Sequence, residues 1–509
     1  MLFTRRTRLS RSATRARALT VASENWEVPY ASDLPSFLYR TELGTYDQDR
    51  DLYVLTPHEV ASQLSYLITS GPPDEALLES TLTRLRQLPP LVTSWEVERL
   101  KQHLAEAQEG KRFVLQGGDC AETLADCQPH LISAKMKILL QMSLVLVHST
   151  MKPVVRIGRM AGQYAKPRSQ KWEVRPSENG EIKLPNYFGD LVNRSEFTAA
   201  AREFDPTLML TGYQHAALTL NFVRSLTEGG FADLHHPEQW DLAFFGNADL
   251  SDELREEYRR SSQDLSRALR FMEALGELSV DDLSRVEFYT CHEGLNLHYE
   301  SAQTHKVPRR ADHYLLSTHM PWIGERTRQL DHAHVEFFRG IANPVGCKVG
   351  PTATVDDVVG LANALNPKDE PGKLVLISRM GVDNVKARLP PLLEGVRKSG
   401  KRVLWVVDPM HGNTRKSDSG YKTRSFDDIQ NEIAWTLDAH AAAGTILGGV
   451  HFEMTGEDVT ECTGGAAGIT DDDLSLNYAT ACDPRLNYRQ ALEMAFLLGR
   501  RMRADQAKG

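Results

Sequence analysis

Cys120, His411, Glu453 and Asp483 are the residues of this chain whose types and settings could do chemistry together. They lie in four dense motifs: Gly117-Gly118-Asp119-Cys120-Ala121-Glu122, Asp408-Pro409-Met410-His411-Gly412-Asn413, His451-Phe452-Glu453-Met454-Thr455-Gly456 and Cys482-Asp483-Pro484-Arg485. Three of the four follow an apolar, β-like run. One thiolate, one imidazole and two carboxylates make a mixed-ligand set for a divalent transition metal, and such a set suits Mn, Co, Fe or Zn. The two glycines before Cys120 let the backbone turn sharply and expose the side chain. Taken alone, Cys120 reads as a small buried hydrophobe. Its neighbours Asp119 and Glu122 favour the ligand reading. Glu453 would be buried if it continued its strand, and a buried carboxylate without a partner is costly, so a metal is the simplest partner. Asp483 carries the weakest signal, since it could cap a turn before Pro484. Cys482 is its neighbour, and reads either as an inert thiol or as one half of a redox-sensitive pair with Cys120.

Cations form a second constellation. Arg159, Lys166 and Arg168 fall in Arg159-Met160-Ala161-Gly162-Gln163-Tyr164-Ala165-Lys166-Pro167-Arg168-Ser169. Arg326 falls in Trp322-Ile323-Gly324-Glu325-Arg326-Thr327-Arg328, Lys348 in Asn343-Pro344-Val345-Gly346-Cys347-Lys348, and Arg379 in Ser378-Arg379-Met380-Gly381. Most lysines and arginines are simply solvated. Several delivered to one place recognise phosphate or carboxylate, arginine as a planar fork and lysine as a point charge.

The elements that must position these groups recur along the chain. Eight short apolar runs each end in a polar motif: Arg112–Gln116, Pro153–Ile157, Val286–Tyr289, Tyr314–Ser317, Pro344–Val349, Leu374–Ile377, Arg402–Val407 and Gly449–Phe452. The motifs hold, in order, Cys120, Arg159, Glu293, Arg326, Lys348, Arg379, His411 and Glu453. Helical patterns separate most of the runs. The clearest carries Ile429, Ile433, Leu437 and His440, with Ser425 as cap and Gly444 as stop. Strands alternating with helices predict a parallel sheet. Eight strands with chemistry at every C-terminal end predict an α/β fold, a (β/α)8 TIM barrel, over residues 111–509. A doubly wound sheet would gather its ligands at one switch point instead. The connection between strands two and three is too long for one helix. It predicts an insertion over 170–280, with a polar loop from Gln170 to Asn186 followed by helices through Leu278. Residues 24–110 read as an arm, Trp26 to Tyr53, followed by three helices. These carry Val60, Leu64, Leu67 and Ile68; Leu77, Leu78, Leu82 and Leu85; and Val97, Leu100 and Leu104.

The 509 residues carry a net charge of -9, which argues against a nucleic-acid partner because no basic excess exists to neutralise phosphates. No apolar stretch in the sequence approaches the roughly 20 residues that span a bilayer, so no membrane partner is expected. Six cysteines in this length do not form a disulfide framework. Residues 1–23 are rich in arginine, serine and threonine, with no acid before Glu24. That composition suits an organellar transit peptide or a disordered basic leader. The expected location is cytoplasmic for a bacterial chain, with plastid or mitochondrion as the alternative.

The motifs from Leu88 to Arg501 closely resemble the class II 3-deoxy-D-arabino-heptulosonate 7-phosphate (DAHP) synthases. The resemblance implies a (β/α)8 barrel that condenses phosphoenolpyruvate with erythrose 4-phosphate and releases phosphate, at the entry to the shikimate pathway. Carried over by motif, the metal ligands are Cys120, His411, Glu453 and Asp483, with Mn ahead of Co, Fe or Zn. Phosphoenolpyruvate would meet Arg159, Lys166, the backbone of Glu325, Arg326, Lys348 and Arg379. Erythrose 4-phosphate would meet Arg168 and Ser169 at its phosphate and Asp408 at its hydroxyls. The chemistry then expects Lys166 or a metal-bound water as proton donor to the new alkoxide, with Glu293 positioning the water. The family also implies a homo-oligomer, dimer or tetramer, with aromatic amino acids as effectors. The segment before Leu88 departs from the family pattern. A related synthase of a secondary pathway and a non-catalytic regulatory paralogue are the alternatives. The completeness of the ligand set speaks against the paralogue.

Overall fold

The computed structural model describes residues 75–168, 172–177, 180–228, 287–310, 312–480 and 482–506, with scattered helical residues between 252 and 267. The leader, the arm from Trp26 to Tyr53, the helix expected on Val60 to Ile68, Ser169 and, scattered residues apart, the expected helical chain from Gly229 to Leu278 lie outside the described residues.

Eight parallel strands close into a barrel in which each strand pairs with its two neighbours in sequence, and β1 pairs with β8. They are β1 (Phe113–Gly118), β2 (Val154–Arg159), β3 (Tyr289–Glu293), β4 (Met320–Ile323), β5 (Val345–Val349), β6 (Leu374–Ser378), β7 (Leu404–Val407) and β8 (Leu447–Glu453). The register sets the site. Gly118 lies opposite both Arg159 on β2 and Glu453 on β8, so the first and last strands deliver their polar residues at one level.

Two of the expected strands sit elsewhere. Tyr314–Ser317 is not a barrel strand, because His313–Leu315 pairs antiparallel with Thr304–Lys306 in a small hairpin. The fourth strand is Met320–Ile323, hidden from a sequence reading by Pro321, which normally argues against an interior strand. The third strand shares only Tyr289 with the expected Val286–Tyr289 and continues through Thr290, His292 and Glu293. Its polar residues near the barrel mouth conceal it from a search for apolar runs. The expected polar loop from Gln170 to Asn186 contains an antiparallel hairpin, Trp172–Ser177 with Gly180–Pro185. Both of its faces are largely exposed, so it lacks the one-sided alternation of a half-buried strand.

Helices close both the bottom and the outside of the barrel. α1 (Glu75–Arg86) buries Leu78, Leu82 and Leu85, while Leu77 is exposed. α2 (Ser94–Gln108) starts at Thr93, whose side chain accepts from Glu96 N while Glu96 returns a bond to Thr93 N, a reciprocal cap. Its Leu100, Leu104 and Ala107 join Val114, Ile157, Trp322, Ile377 and Val406 in one cluster and plug the barrel at the strands' N-terminal ends. α3 (Pro129–Thr150) has 22 residues and is apolar enough by composition to cross a bilayer, contrary to the sequence expectation. It is a core helix instead: Ile138, Leu139, Met142, Val145 and Leu146 pack with α9 (Tyr488–Gln506) and the barrel wall. α4 (Leu208–Glu228) lies in the insertion and packs on α1. α5 (Ala333–Arg339), α6 (Val355–Leu365), α7 (Val385–Ser399) and α8 (Phe426–Ala443) follow β4 to β7. α8 has the expected ends: Ser425 accepts from Asp428 N, and Gly444 is left-handed.

Candidate active site

The C-terminal ends of the strands surround a cavity of about 350 Å³. Arg159, Glu293, Lys348 and Glu453 are strand residues, and Lys166, Arg168, Arg326, Arg379, His411 and Asp483 come from the loops beyond. Seven lining residues are Lys or Arg (Arg159, Lys166, Arg168, Arg326, Lys348, Arg379 and Lys422), against three carboxylates, Glu293, Glu325 and Asp483. That excess fits a small ligand with several negative charges.

Three of the four candidate metal ligands meet on one side of this cavity, and His411 adjoins them through Glu453. Donor atoms of Cys120, Glu453 and Asp483 lie within 4.8 Å of one another. His411 Nε2 is 3.0 Å from Glu453 Oε1. The backbone at Cys120 depends on its glycines: Gly118 has φ +144°, and a Cβ there would stand 2.8 Å from Arg159 O. His411 Nδ1 faces Asp408 Oδ2 at 2.7 Å, which turns Nε2 toward the cluster, the usual carboxylate–histidine arrangement behind a metal. Thiolate, imidazole and two carboxylates converging in this way fit a divalent transition metal.

Cations of the protein surround the cluster. Lys166 Nζ is 2.5 Å from Cys120 Sγ and 3.2 Å from Asp483 Oδ2. Arg159 Nη2 donates to Cys120 O and to Glu453 Oε1, and its guanidinium lies 5.2 Å from the Trp322 ring centroid. Arg424 Nη1 approaches Glu453 Oε2 at 2.7 Å. Burial works to raise the Glu453 pKa, but His411, Arg424 and Arg159 together hold it well below the carboxylate range. Asp483 is likewise held down against burial, chiefly by Lys166. Burial opposes the charge on Lys166 too, yet Cys120 and Asp483 keep it protonated well above its usual range. Cys482 is brought against Cys120, with both cysteines reduced. Burial and the Cys482 contact push the Cys120 thiol up, and the same contact draws the Cys482 thiol down to about 6.

The remaining sequence candidates fall as follows. Arg168 donates to Tyr187 O at 2.7 Å and lines the cavity. Arg379 lines it while donating to His411 O at 2.7 Å. Glu325 lines the cavity, and its carboxylate accepts from Gly350 N and from Arg328. Lys348 pairs closely with Asp408. Asp408 is fully buried and also accepts from Met410 N and His411 N. Glu293 lines the cavity, and burial raises its pKa against the pull of Lys166 and Arg326.

The sequence reading passed over several residues that build this site. Thr414 and Lys422 line the cavity, and Lys422 Nζ is 3.2 Å from Asp483 Oδ1. Lys422 sits on a two-residue strand paired with Arg415–Lys416, and its signal was only the Asp418-Ser419-Gly420 turn before it. Glu122 supports the site through the backbone. Its carboxylate accepts from Ala161 N, Gly162 N and Gln163 N, each at 3.0 Å, and so shapes the loop after Arg159. Gln163 in turn accepts from Glu293 N at 2.8 Å.

A closed parallel barrel with this cavity at its mouth defines an enzyme for small, multiply charged anions. Residues 62–499 match the class-II DAHP synthetase family, and the chain belongs to that family, which catalyses the first step of the shikimate pathway. The match begins ahead of Leu88, so the family likeness includes α1. Proteins named phospho-2-dehydro-3-deoxyheptonate aldolase are similar along most of their length. The Neurospora crassa protein is 45% identical over 450 residues, which cover 85% of this chain and 92% of the relative. That of Streptomyces coelicolor is 45% identical over 426 residues, 84% of this chain and 93% of the relative. The Mycolicibacterium smegmatis protein is 44% identical over 440 residues, 85% of this chain and 92% of the relative. The corresponding transferase activity is 3-deoxy-7-phosphoheptulonate synthase, EC 2.5.1.54.

Proposed function

We propose that this chain joins phosphoenolpyruvate to erythrose 4-phosphate, with one divalent metal, Mn first among the candidates, held by Cys120, His411, Glu453 and Asp483. The observation that carries the reading is the cation-lined cavity with this donor cluster on its wall. A metal there supplies Lewis-acid polarisation of the aldehyde oxygen. The protein's own groups do the rest. Arg159, Lys166, Arg326, Lys348 and Arg379 bind and orient phosphoenolpyruvate. Arg168 and Ser169 take the phosphate of erythrose 4-phosphate, and Asp408 stands at its hydroxyl end while orienting His411. C3 of phosphoenolpyruvate adds to the aldehyde carbon, and Lys166 gives the new alkoxide its proton. Water, positioned by Glu293, adds at C2. The resulting hemiketal phosphate then loses inorganic phosphate by C–O cleavage. The test is turnover with erythrose 4-phosphate against its imine analogue. A preference for the aldehyde is expected. Preference for the imine would assign the chain to a secondary pathway, and turnover of neither would make it a regulatory paralogue.

Two further outcomes follow from the cations. Arg326→Lys keeps charge but loses the planar fork, so kcat/KM for phosphoenolpyruvate is expected to fall at least about tenfold. Unchanged kinetics would remove Arg326 from the site. Burial lowers the Lys348 pKa to about 8, although Asp408 pulls it upward. Its cation is present below that value and lost as pH rises through it. The pH profile of kcat/KM should therefore show an alkaline fall near about 8. In Lys348→Arg, whose guanidinium stays charged, that fall should disappear even though the activity is lower.

A further inference from the structure

A carboxylate outside the cavity connects two of its loops. Glu432 lies on the buried face of α8 between Ile429 and Ile433, and is itself fully buried. Its partners are N–H groups from two loops. Oε1 accepts from Met380 N and Gly381 N, each at 2.9 Å, and Oε2 accepts from Asn413 Nδ2 at 2.7 Å. Met380 and Gly381 follow Arg379 in the loop after β6. Asn413 follows His411 in the loop after β7. Asn413 fastens the two loops again, because its Oδ1 accepts from Val382 N at 2.8 Å while Nδ2 also donates to Pro409 O at 2.8 Å. The backbones are in contact there: a Cβ on Gly412 would stand 2.3 Å from Gly381 N, and one on Gly381 would stand 2.7 Å from Gly412 O. Arg379 Nη2 to His411 O completes the frame.

We propose that Glu432 is a positioning residue that couples the metal-ligating loop of His411 to the anion-binding loop of Arg379, so that filling either site favours filling the other. This rests on the function proposed above. The chemistry requires an acceptor on both oxygens. A glutamine of the same shape offers one acceptor and one donor. Its amide would set N–H groups against either the two backbone N–H groups or the Asn413 amide. Asn413 cannot turn over to relieve this without losing Val382 N and Pro409 O. Burial raises the Glu432 pKa to about 7, with the three donors opposing the rise. The test is therefore run at about pH 8, where the carboxylate predominates.

Mn²⁺ binding is followed by the electron paramagnetic resonance signal of the free ion, and phosphoenolpyruvate binding by calorimetry, on the full chain. In the native protein phosphoenolpyruvate is expected to tighten Mn²⁺ binding. In Glu432→Gln both dissociation constants should rise about tenfold and the tightening should vanish, as expected for lost hydrogen bonds to a charged acceptor. KM for erythrose 4-phosphate, measured at saturating Mn²⁺, should rise less than either constant, since Arg168 at its phosphate end is held by Tyr187 O and only Asp408 belongs to these loops. Asn413→Ala keeps the bonds to Met380 and Gly381 but cuts the link to the β7 loop. It should weaken Mn²⁺ more than phosphoenolpyruvate, and it decides the matter if Glu432→Gln does not fold. Native constants with intact tightening in Glu432→Gln would overturn the proposal. So would equal losses for Mn²⁺, phosphoenolpyruvate and erythrose 4-phosphate, which would mark a general loss of structure. If the native chain binds Mn²⁺ but turns over no erythrose 4-phosphate, the proposed function fails while the Mn²⁺ comparison still reads Glu432.

Discussion

Dialysis against EDTA is expected to abolish turnover, and Mn²⁺ or Co²⁺ is expected to restore it. Four donors of three chemical kinds converge from β1, β7, β8 and the segment before α9, and nothing in simple packing calls for that mixture. Two carboxylates beside a thiol in a buried wall are costly without positive charge. Lys166, Arg159 and Arg424 provide part of that charge. Cys120→Ser should lose metal affinity by more than about 100-fold, beyond what changes to supporting residues typically cost. Cys127→Ser is the control, because Cys127 lies off the cluster with its Sγ 3.7 Å from His215 O. Equal metal binding in the two variants, or full activity of the metal-free protein, would rule out the ligand assignment.

Arg485→Met is expected to destabilise the fold by about 3–5 kcal/mol, the usual cost of breaking a buried ion pair from one side. Arg485 forks onto Glu461 through Nε at 3.0 Å and Nη2 at 2.8 Å, and its Nη1 donates to Asp119 at 2.7 Å. Lys135 closes on the other oxygen of Asp119. Asp119 precedes Cys120, and Arg485 lies two residues after Asp483, so this buried chain of charges fixes two metal-ligand segments from behind. The variant should lose metal affinity together with stability. Arg415→Met removes an exposed pair with Asp471 and should cost less than about 1 kcal/mol. Urea unfolding of both variants makes the comparison. Equal midpoints would show that the buried network contributes no more than a surface pair.

Much of this was legible in the sequence because the barrel repeats one device. An apolar run ends in a polar motif wherever a strand reaches the mouth, so Cys120, Arg159, Lys348, His411 and Glu453 could be placed before their contacts were known. The device failed where the strand itself is polar or holds proline. Thr290, His292 and Glu293 belong to β3, and Pro321 lies inside β4. Lys422 and Glu432 were invisible for a different reason. Their roles come from distances across the fold, to Asp483 in one case and to two loops in the other, and no local spacing encodes those distances. The hairpin of Trp172–Ser177 with Gly180–Pro185 escaped because sheet pairing there is not accompanied by burial.

The most direct test of the account is a stoichiometric assay of the full chain with Mn²⁺, phosphoenolpyruvate and erythrose 4-phosphate. One inorganic phosphate and one seven-carbon 2-keto sugar acid phosphate should appear for each phosphoenolpyruvate consumed, and neither should appear when erythrose 4-phosphate is omitted. Phosphate release that does not depend on erythrose 4-phosphate, or no product from protein shown to bind Mn²⁺, would contradict it.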